Sequence, residues 1–368
     1  MKNVLVIFGG KSVEHDVSVI TGVMTANVID KQKYNVIPVL ITADGEWVSG
    51  KELFDIDGYK SLDVKKLSKV TLTCASPILY KKKGKKLKEI ASIYVAINCL
   101  HGGEGEDGSI AGLFNCCNIP LASPNVLSSA ISMDKRFTKI VLKGLGVNVL
   151  PCDEVSSQTE AEMIKERLTY PVIVKPNLLG SSIGITKAKT PNELIESVNG
   201  ALRYGERAII EPCLDGFMEI NCAAYKDQNG KIKVSECERP VGKSNILSFN
   251  DKYQGGKRIF PADVSQDVSE KIKRITKTVY KECGFNGVIR IDFFVKEDEV
   301  YLNEINAVPG SLAYYLFCDT LREFSVMVEG LIQKGVNDFA KKSTFNTSYK
   351  SNVLLGFGSK GAKNKNRQ

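Results

Sequence analysis

The sequence predicts an α/β amino-terminal domain on a parallel sheet, followed by two smaller α+β units. Three observations carry that prediction. Residues 1–120 alternate short apolar strands, glycine-rich loops and helices, as in a parallel sheet with its site at the strands' C-terminal ends. Two further helix-and-strand groupings begin near residues 128 and 215. The stretch GVIRIDFFVKEDEVYLNEIN, residues 287–306, is two β-rich runs around a charged tetrapeptide and reads as a hairpin.

In chain order, Val4–Phe8 reads as a strand, Gly9–Asp16 as a loop, Val17–Ile29 as a helix and Val36–Ile41 as a strand. After an irregular stretch come strand Ile93–Leu100, loop Gly102–Gly108 and helix Ser109–Cys117. The lysine-dense Lys81–Lys88 surrounds Gly84 and lacks an aromatic ladder, so it reads as a solvated hairpin tip and not a nucleic-acid contact. The second unit holds helix Met133–Leu145, strand Val172–Lys175, loop Gly180–Gly184, helix Pro191–Tyr204 and strand Ala208–Glu211. The third holds strands Glu219–Tyr225, Lys231–Cys237, Gly287–Val295 and Val300–Ile305, with amphipathic helices Val268–Cys283 and Arg322–Lys334. The expected divisions are 1–127, 128–214, 215–340 and a basic tail, 341–368.

Composition narrows the function classes. With 368 residues, 43% hydrophobic and 25% charged, the chain can bury two or three cores, which excludes a disordered or collagenous protein. The net charge of +8 invites a polyanionic partner. Yet residues 341–368 hold seven basic residues and no acid, leaving residues 1–340 near neutral. No nucleic-acid partner is expected, and no apolar run reaches the ~20 residues that span a bilayer. The opening MKNVLVIFGG stops at two glycines and reads as a strand, not a secretory signal. Ten scattered cysteines without a C-x-x-C, and only two histidines, argue for free thiols in the cytoplasm.

Two tempting motifs fail on physical grounds. Gly103-Glu-Gly-Glu-Asp-Gly108 matches a dinucleotide fingerprint, but Glu104, Glu106 and Asp107 would face a pyrophosphate, and no ribose-binding acid follows at the usual spacing. Gly10-Lys11-Ser12 and Gly242-Lys243-Ser244 lack the earlier glycine of a phosphate-binding loop.

The hairpin carries the strongest chemistry. With a turn centred on Asp298, Asp292 falls opposite Glu304 and Arg290 opposite Asn306, with opposed Cβ atoms ~5 Å apart. Oxygen ligands so placed suit Mg²⁺ or Mn²⁺ bridging to phosphates; a solvated surface hairpin is the plain alternative. Lys175 followed by Pro176–Gly184 joins a fixed positive charge to small residues whose amides can approach phosphate oxygens; a tight turn is the alternative. Glu211-Pro-Cys-Leu214 reads as an inter-lobe hinge whose strand edge could contact an adenine, with Glu219 free for ribose hydroxyls. Glu14, His15 and Asp16 either cap a helix or belong to a site. His15 and His101 both end parallel strands, which favours a shared cleft.

These segments, in this order, resemble the D-alanine–D-alanine ligase family of the ATP-grasp superfamily. The matching stretches are GGKSVEHDVS, HGGEGEDGSIAG, SMDKRFTK, PVIVKPNLLGSSIG, IIEPCL, DKY, RIDFF and NEINAVPGS, within residues 3 to about 340. The resemblance implies a pre-ATP-grasp α/β domain followed by two ATP-grasp lobes that clamp ATP. It also implies phosphorylation of one D-alanine carboxylate by ATP and attack on the acyl phosphate by the amine of a second, supplying cell-wall precursor. By resemblance, Glu14 holds the first D-alanine's ammonium in a triad with Ser181 and Tyr253, and His101 lies beside that subsite. Lys135, Lys175, Ser182 and Lys252 would serve the ATP phosphates, and Glu211, Leu214 and Glu219 the adenosine. Asp292, Glu304 and Asn306 would ligate two Mg²⁺ (or Mn²⁺) ions, while Arg290 and the Gly310 amide would stabilise the tetrahedral intermediate. The family's usual state is a homodimer. Two departures are visible: the loop before Lys252-Tyr253 reads ILSFNDKY with few aromatics, and Tyr315 and Leu316 stand where a serine and a leucine usually contact the second D-alanine. Ser311 lies earlier and offers another hydroxyl there. A D-alanine ligase taking a different second substrate, or a silent nucleotide-binding module, are the alternatives.

Overall fold

A computed structural model describes residues 1–241, 257–349 and 351. β1 (Lys2–Gly9) is a Val, Leu, Ile and Phe run buried on both faces, as a central parallel strand must be. α1 (His15–Val28) packs so closely on it that a Cβ on Gly22 would lie 2.2 Å from the Phe8 ring. β2 (Tyr34–Ile41) flanks β1 in parallel. The stretch read as irregular forms β3 (Trp47–Ser49), β4 (Ser68–Thr73) and β5 (Ser76–Lys83), joined antiparallel. β6 (Lys86–Asn98) returns from that ribbon to pair parallel with β1, closing a six-stranded ring. The parallel sheet is therefore its β2–β1–β6 part. The β5–β6 turn at Gly84 is the hairpin tip expected within Lys81–Lys88; β3 and β4 escaped notice because they are short and half exposed. α2 (Ser109–Cys116) covers the sheet's other face.

One helix was expected over Met133–Leu145; there are two, α3 (Val126–Met133) and α4 (Lys135–Gly144). Asp134 separates them, with extended backbone and a carboxylate that accepts the Phe137 N–H at 2.9 Å, a helix N-cap. β7 (Asp153–Val155), α5 (Gln158–Ile164), β8 (Val172–Pro176), β9 (Thr186–Ala188), α6 (Pro191–Ala201) and β10 (Ala208–Pro212) follow. Their strands form one antiparallel sheet in the order β7–β10–β8–β9.

β11 (Met218–Lys226), β12 (Ile232–Val234), β13 (Arg239–Val241), β14 (Lys257–Ile259), α7 (Gln266–Glu282), β15 (Val288–Lys296) and β16 (Glu299–Asn306) complete the strands. β12–β11–β15–β16 is a second antiparallel sheet, backed by α7 through Ile272, Val279 and Tyr280. After a 3₁₀ turn at Gly310–Leu316, α8 (Leu321–Ser343) starts on a Thr320–Glu323 capping box. Phe324, Val328 and Leu331 of α8 join the core of β1 and α1, so the end of the chain is fastened to its beginning.

The β15–β16 register opposes Asp292 to Glu304 and Arg290 to Asn306, as alternation predicts. The route differs. Nearer the turn, Lys296 faces Glu299 and Phe293 faces Leu302, so the turn is centred between Glu297 and Asp298. A bulge at Asn303 inserts one residue and restores the pairing beyond it. It also turns Asn303 and Glu304 to the same face, while Leu302 and Ile305 stay in the core.

Candidate active site

Between the two antiparallel sheets lies a cleft. One end is apolar, formed by Leu150, Ile173, Ile185, Phe217 and Phe294, with the two phenylalanine rings 4.4 Å apart. That slot can take a flat ring, and Leu214 and Glu219 lie at its edge. The other end is charged and holds Lys135, Lys175, Asp292 and Glu304, with Ser182 on the loop above.

Buried charges set the geometry of the charged end. Glu211 on β10 is enclosed between Lys139 Nζ at 2.7 Å and Lys175 Nζ at 2.8 Å. Burial alone would raise its carboxyl, but Lys175 and Lys139 outweigh that and hold its pKa below the usual range. The Glu211 side chain is thus committed to Lys139 and Lys175. Lys175 also donates to Asn303 Oδ1 at 3.3 Å. Lys135 donates to the Leu179 carbonyl at 2.6 Å, fastening the small-residue loop. Burial lowers the Lys135 ammonium's pKa, with Glu304 opposing. Lys139 escaped sequence reading; its signal was its place one turn after Lys135 on an amphipathic helix.

A second, small cavity joins this end to the amino-terminal domain, lined by Glu14, Gly102, Glu106, Lys135, Gly180, Glu304 and Asn306. Glu14 stands before α1 and is buried, with Ser181 Oγ donating to its Oε1. A Cβ on Gly102 would lie 2.7 Å from Glu14 Oε2, so glycine is needed where the two domains' loops close over that carboxylate. Ser181 and Ser182 have φ of 55° and 59°, left-handed values that cost serine of order 1–3 kcal/mol and persist only where contacts impose them. Tyr253 and Lys252 lie outside the described residues.

Arg290 grips Asp292 with two hydrogen bonds, 2.7 and 2.9 Å, and Asn306 Nδ2 reaches Asp292 Oδ2 at 3.1 Å. Asp292, Glu304 and Asn306 present hard oxygen donors on one face, a set that fits Mg²⁺ or Mn²⁺. Two groups close by, buried His101 and half-buried Glu106, are shifted far from their usual values. The Glu106 carboxyl is raised to about 7 by burial and by Glu14. His101 is lowered to about 3 by burial and by Arg290.

The segment after the hairpin is less simple than its sequence. Gly310 opens the 3₁₀ turn, and Ser311, Leu312 and Ala313 all have φ near +50°, a left-handed run that costs about 1–2 kcal/mol per residue. Ser311 Oγ turns to Met24 Sδ on α1 at 3.5 Å. Leu316 is buried in the core with α1. Tyr315 stacks beneath the Arg258 guanidinium, 5.2 Å from the ring centre, and burial raises its hydroxyl's pKa. Of these three, Tyr315 is the one beside Arg290. His15 closes its own loop through the Gly10 carbonyl at 2.8 Å.

Residues 3–124 match the family described as D-ala D-ala ligase N-terminus, and residues 141–337 the one described as D-ala D-ala ligase C-terminus. The chain is 36% identical to the D-alanine–D-alanine ligase of Thermosipho melanesiensis, over 96% of this chain and 98% of that one. Identity to the Staphylococcus epidermidis D-alanine–D-alanine ligase is 33%, over 93% and 95%. The crystal structure of the Helicobacter pylori D-alanine–D-alanine ligase superposes with a TM-score of 0.76 at 30% identity, covering 91% of this chain and 98% of that one. The VanG D-Ala:D-Ser ligase of Enterococcus faecalis gives 0.72 at 26%, covering 92% and 98%.

Proposed function

Since the chain belongs to the D-alanine–D-alanine ligase family, an ATP-dependent ligase family that uses Mg²⁺, we propose that it joins two D-alanines for peptidoglycan precursor synthesis. The observation that carries the reading is the junction of the two cavities. Buried Glu14, bonded to Ser181, meets the Lys135–Lys175 end of the nucleotide cleft across Glu304.

In this reading Glu14 holds the first D-alanine's ammonium, and the carboxylate oxygen of that D-alanine attacks the γ-phosphorus of ATP, releasing ADP. The second amine then attacks the acyl carbon, loses a proton, and phosphate departs. Lys135 and Lys175 neutralise the phosphates, with Lys252 and Tyr253 completing the site. The Phe217–Phe294 slot, Leu214 and Glu219 receive adenosine. Arg290 and the Gly310 amide meet the oxyanion. Asp292, Glu304 and Asn306 would hold the divalent cations, which when bound offset phosphate charge. A homodimer in the cytoplasm completes the proposal, on the family's usual habit; among the described residues no helix is long and apolar enough to cross a membrane.

Tyr315 favours a second reading, a ligase whose second substrate is D-serine or D-lactate, because its bulk and hydroxyl stand where the family usually has serine. Phosphate release with ATP and Mg²⁺ across D-alanine, D-serine and D-lactate separates the two. We expect release with D-alanine alone, one dipeptide per phosphate, and loss of at least a hundredfold in Glu304→Ala. Release only with a mixed pair supports the second reading; none with any D-substrate overturns both.

A further inference from the structure

Thr21, on α1, is fully buried and absent from every motif above. Its Oγ1 accepts the Ser311 backbone N–H at 2.9 Å and lies 2.9 Å from His101 Nε2. The imidazole thus buttresses the hydroxyl that receives the Ser311 amide. Glu106 completes the set: Oε1 accepts the Val308 N–H at 2.9 Å and Oε2 the Gly102 N–H at 2.8 Å. Two side chains of the amino-terminal domain thus hold the two ends of Val308–Ser311, Glu106 at Val308 and Thr21 at Ser311, in a segment leading into left-handed backbone that its own residues disfavour.

We propose that Thr21 and Glu106 are positioning residues that hold the Gly310 amide where the oxyanion develops, with His101 fixing the Thr21 hydroxyl. The inference rests on the ligase reading for its catalytic consequence. It moves His101 from a substrate contact to a support of Thr21, and makes the amino-terminal domain part of the oxyanion site.

Two measurements test it. The chain has only two histidines, so their imidazole ¹⁵N signals are separable. We expect one ring to show the shifted Nε2 signal of a buried hydrogen bond at neutral pH and to change that signal in Thr21→Val. Two rings with the signals of free imidazole, or no change in the variant, would overturn the anchor whether or not the chain is a ligase. In steady-state kinetics, Thr21→Val should lower kcat at least tenfold, with KM for ATP and D-alanine within twofold. Thr21→Ser should recover kcat to within threefold of the parent. Glu106→Gln, which accepts only one of the two amides, should show the same split. Unchanged kcat in both variants would overturn the positioning role. So would a joint loss of kcat and both KM values that serine fails to rescue. Failure of the parent chain to make dipeptide would instead overturn the ligase reading, and the ¹⁵N result would still decide the anchor.

Discussion

Glu211 shows how a single side chain can matter without touching a ligand. It is buried with two ammonium groups, and removing it leaves both without their counter-charge. Breaking such a set costs about 3–5 kcal/mol. Glu211→Ala should lose stability of that order in urea denaturation; a loss below about 1 kcal/mol would mean the lysines find water instead. His101 allows a signed pH prediction. Its folded pKa is about 3 against an ordinary 6.5, so below pH 6.5 the unfolded chain takes up a proton that the native state refuses. Stability is therefore lost as pH falls from 6.5 toward 3. Glu106 acts oppositely between about 7 and 4.5, but it is present in both proteins compared. The thermal midpoint of His101→Gln should gain on the parent as the solution is acidified; parallel curves would contradict the shift.

At the scale of elements, alternation made the opposition of Asp292 and Glu304 legible, because a strand permits only two faces. It did not reveal the bulge, since Asn303 looks like any polar strand residue and its role depends on Lys175 from another sheet. Likewise Met133–Leu145 is helical by composition, and only Asp134 marks the break. Of the ribbon, Gly84 among lysines marked the β5–β6 tip, whereas β3 and β4 were invisible because they are short and half solvated. The left-handed run at Ser311–Ala313 contains no glycine to announce it. Asp134 is the testable case: it caps α4, is 3.4 Å from Arg207 and places Lys135 at the helix start. Asp134→Ala should cost about 1 kcal/mol, as lost caps do, seen as a lower thermal midpoint, and raise KM for ATP severalfold. An unchanged KM would separate the cap from the nucleotide site.

For the whole molecule, charge and topology point different ways. Half of the +8 belongs to residues 352–368, whereas the structure ties its last long helix into the first core. Deleting residues 352–368 should leave kcat within twofold of the parent and weaken retention on a cation exchanger. A large loss of turnover would give the tail a part in the chemistry. The family was legible because its motifs are short, local and ordered. The site's cohesion was not, because Glu14, Glu106 and Thr21 act across loops separated by hundreds of residues.

The bulge has a consequence for how this hairpin tolerates change in length. A residue lost or gained elsewhere along β15 or β16 would carry every later side chain to the wrong face. Excising Asn303 alone would not: Glu304 would move up to regular pairing opposite Asp292, Asn306 would still meet Arg290, and Ile305 would still enter the core. The ladder thus holds one spare letter. Its removal would straighten the strand and leave Lys175 to Glu211 alone, yet keep the reading frame of the acidic face intact.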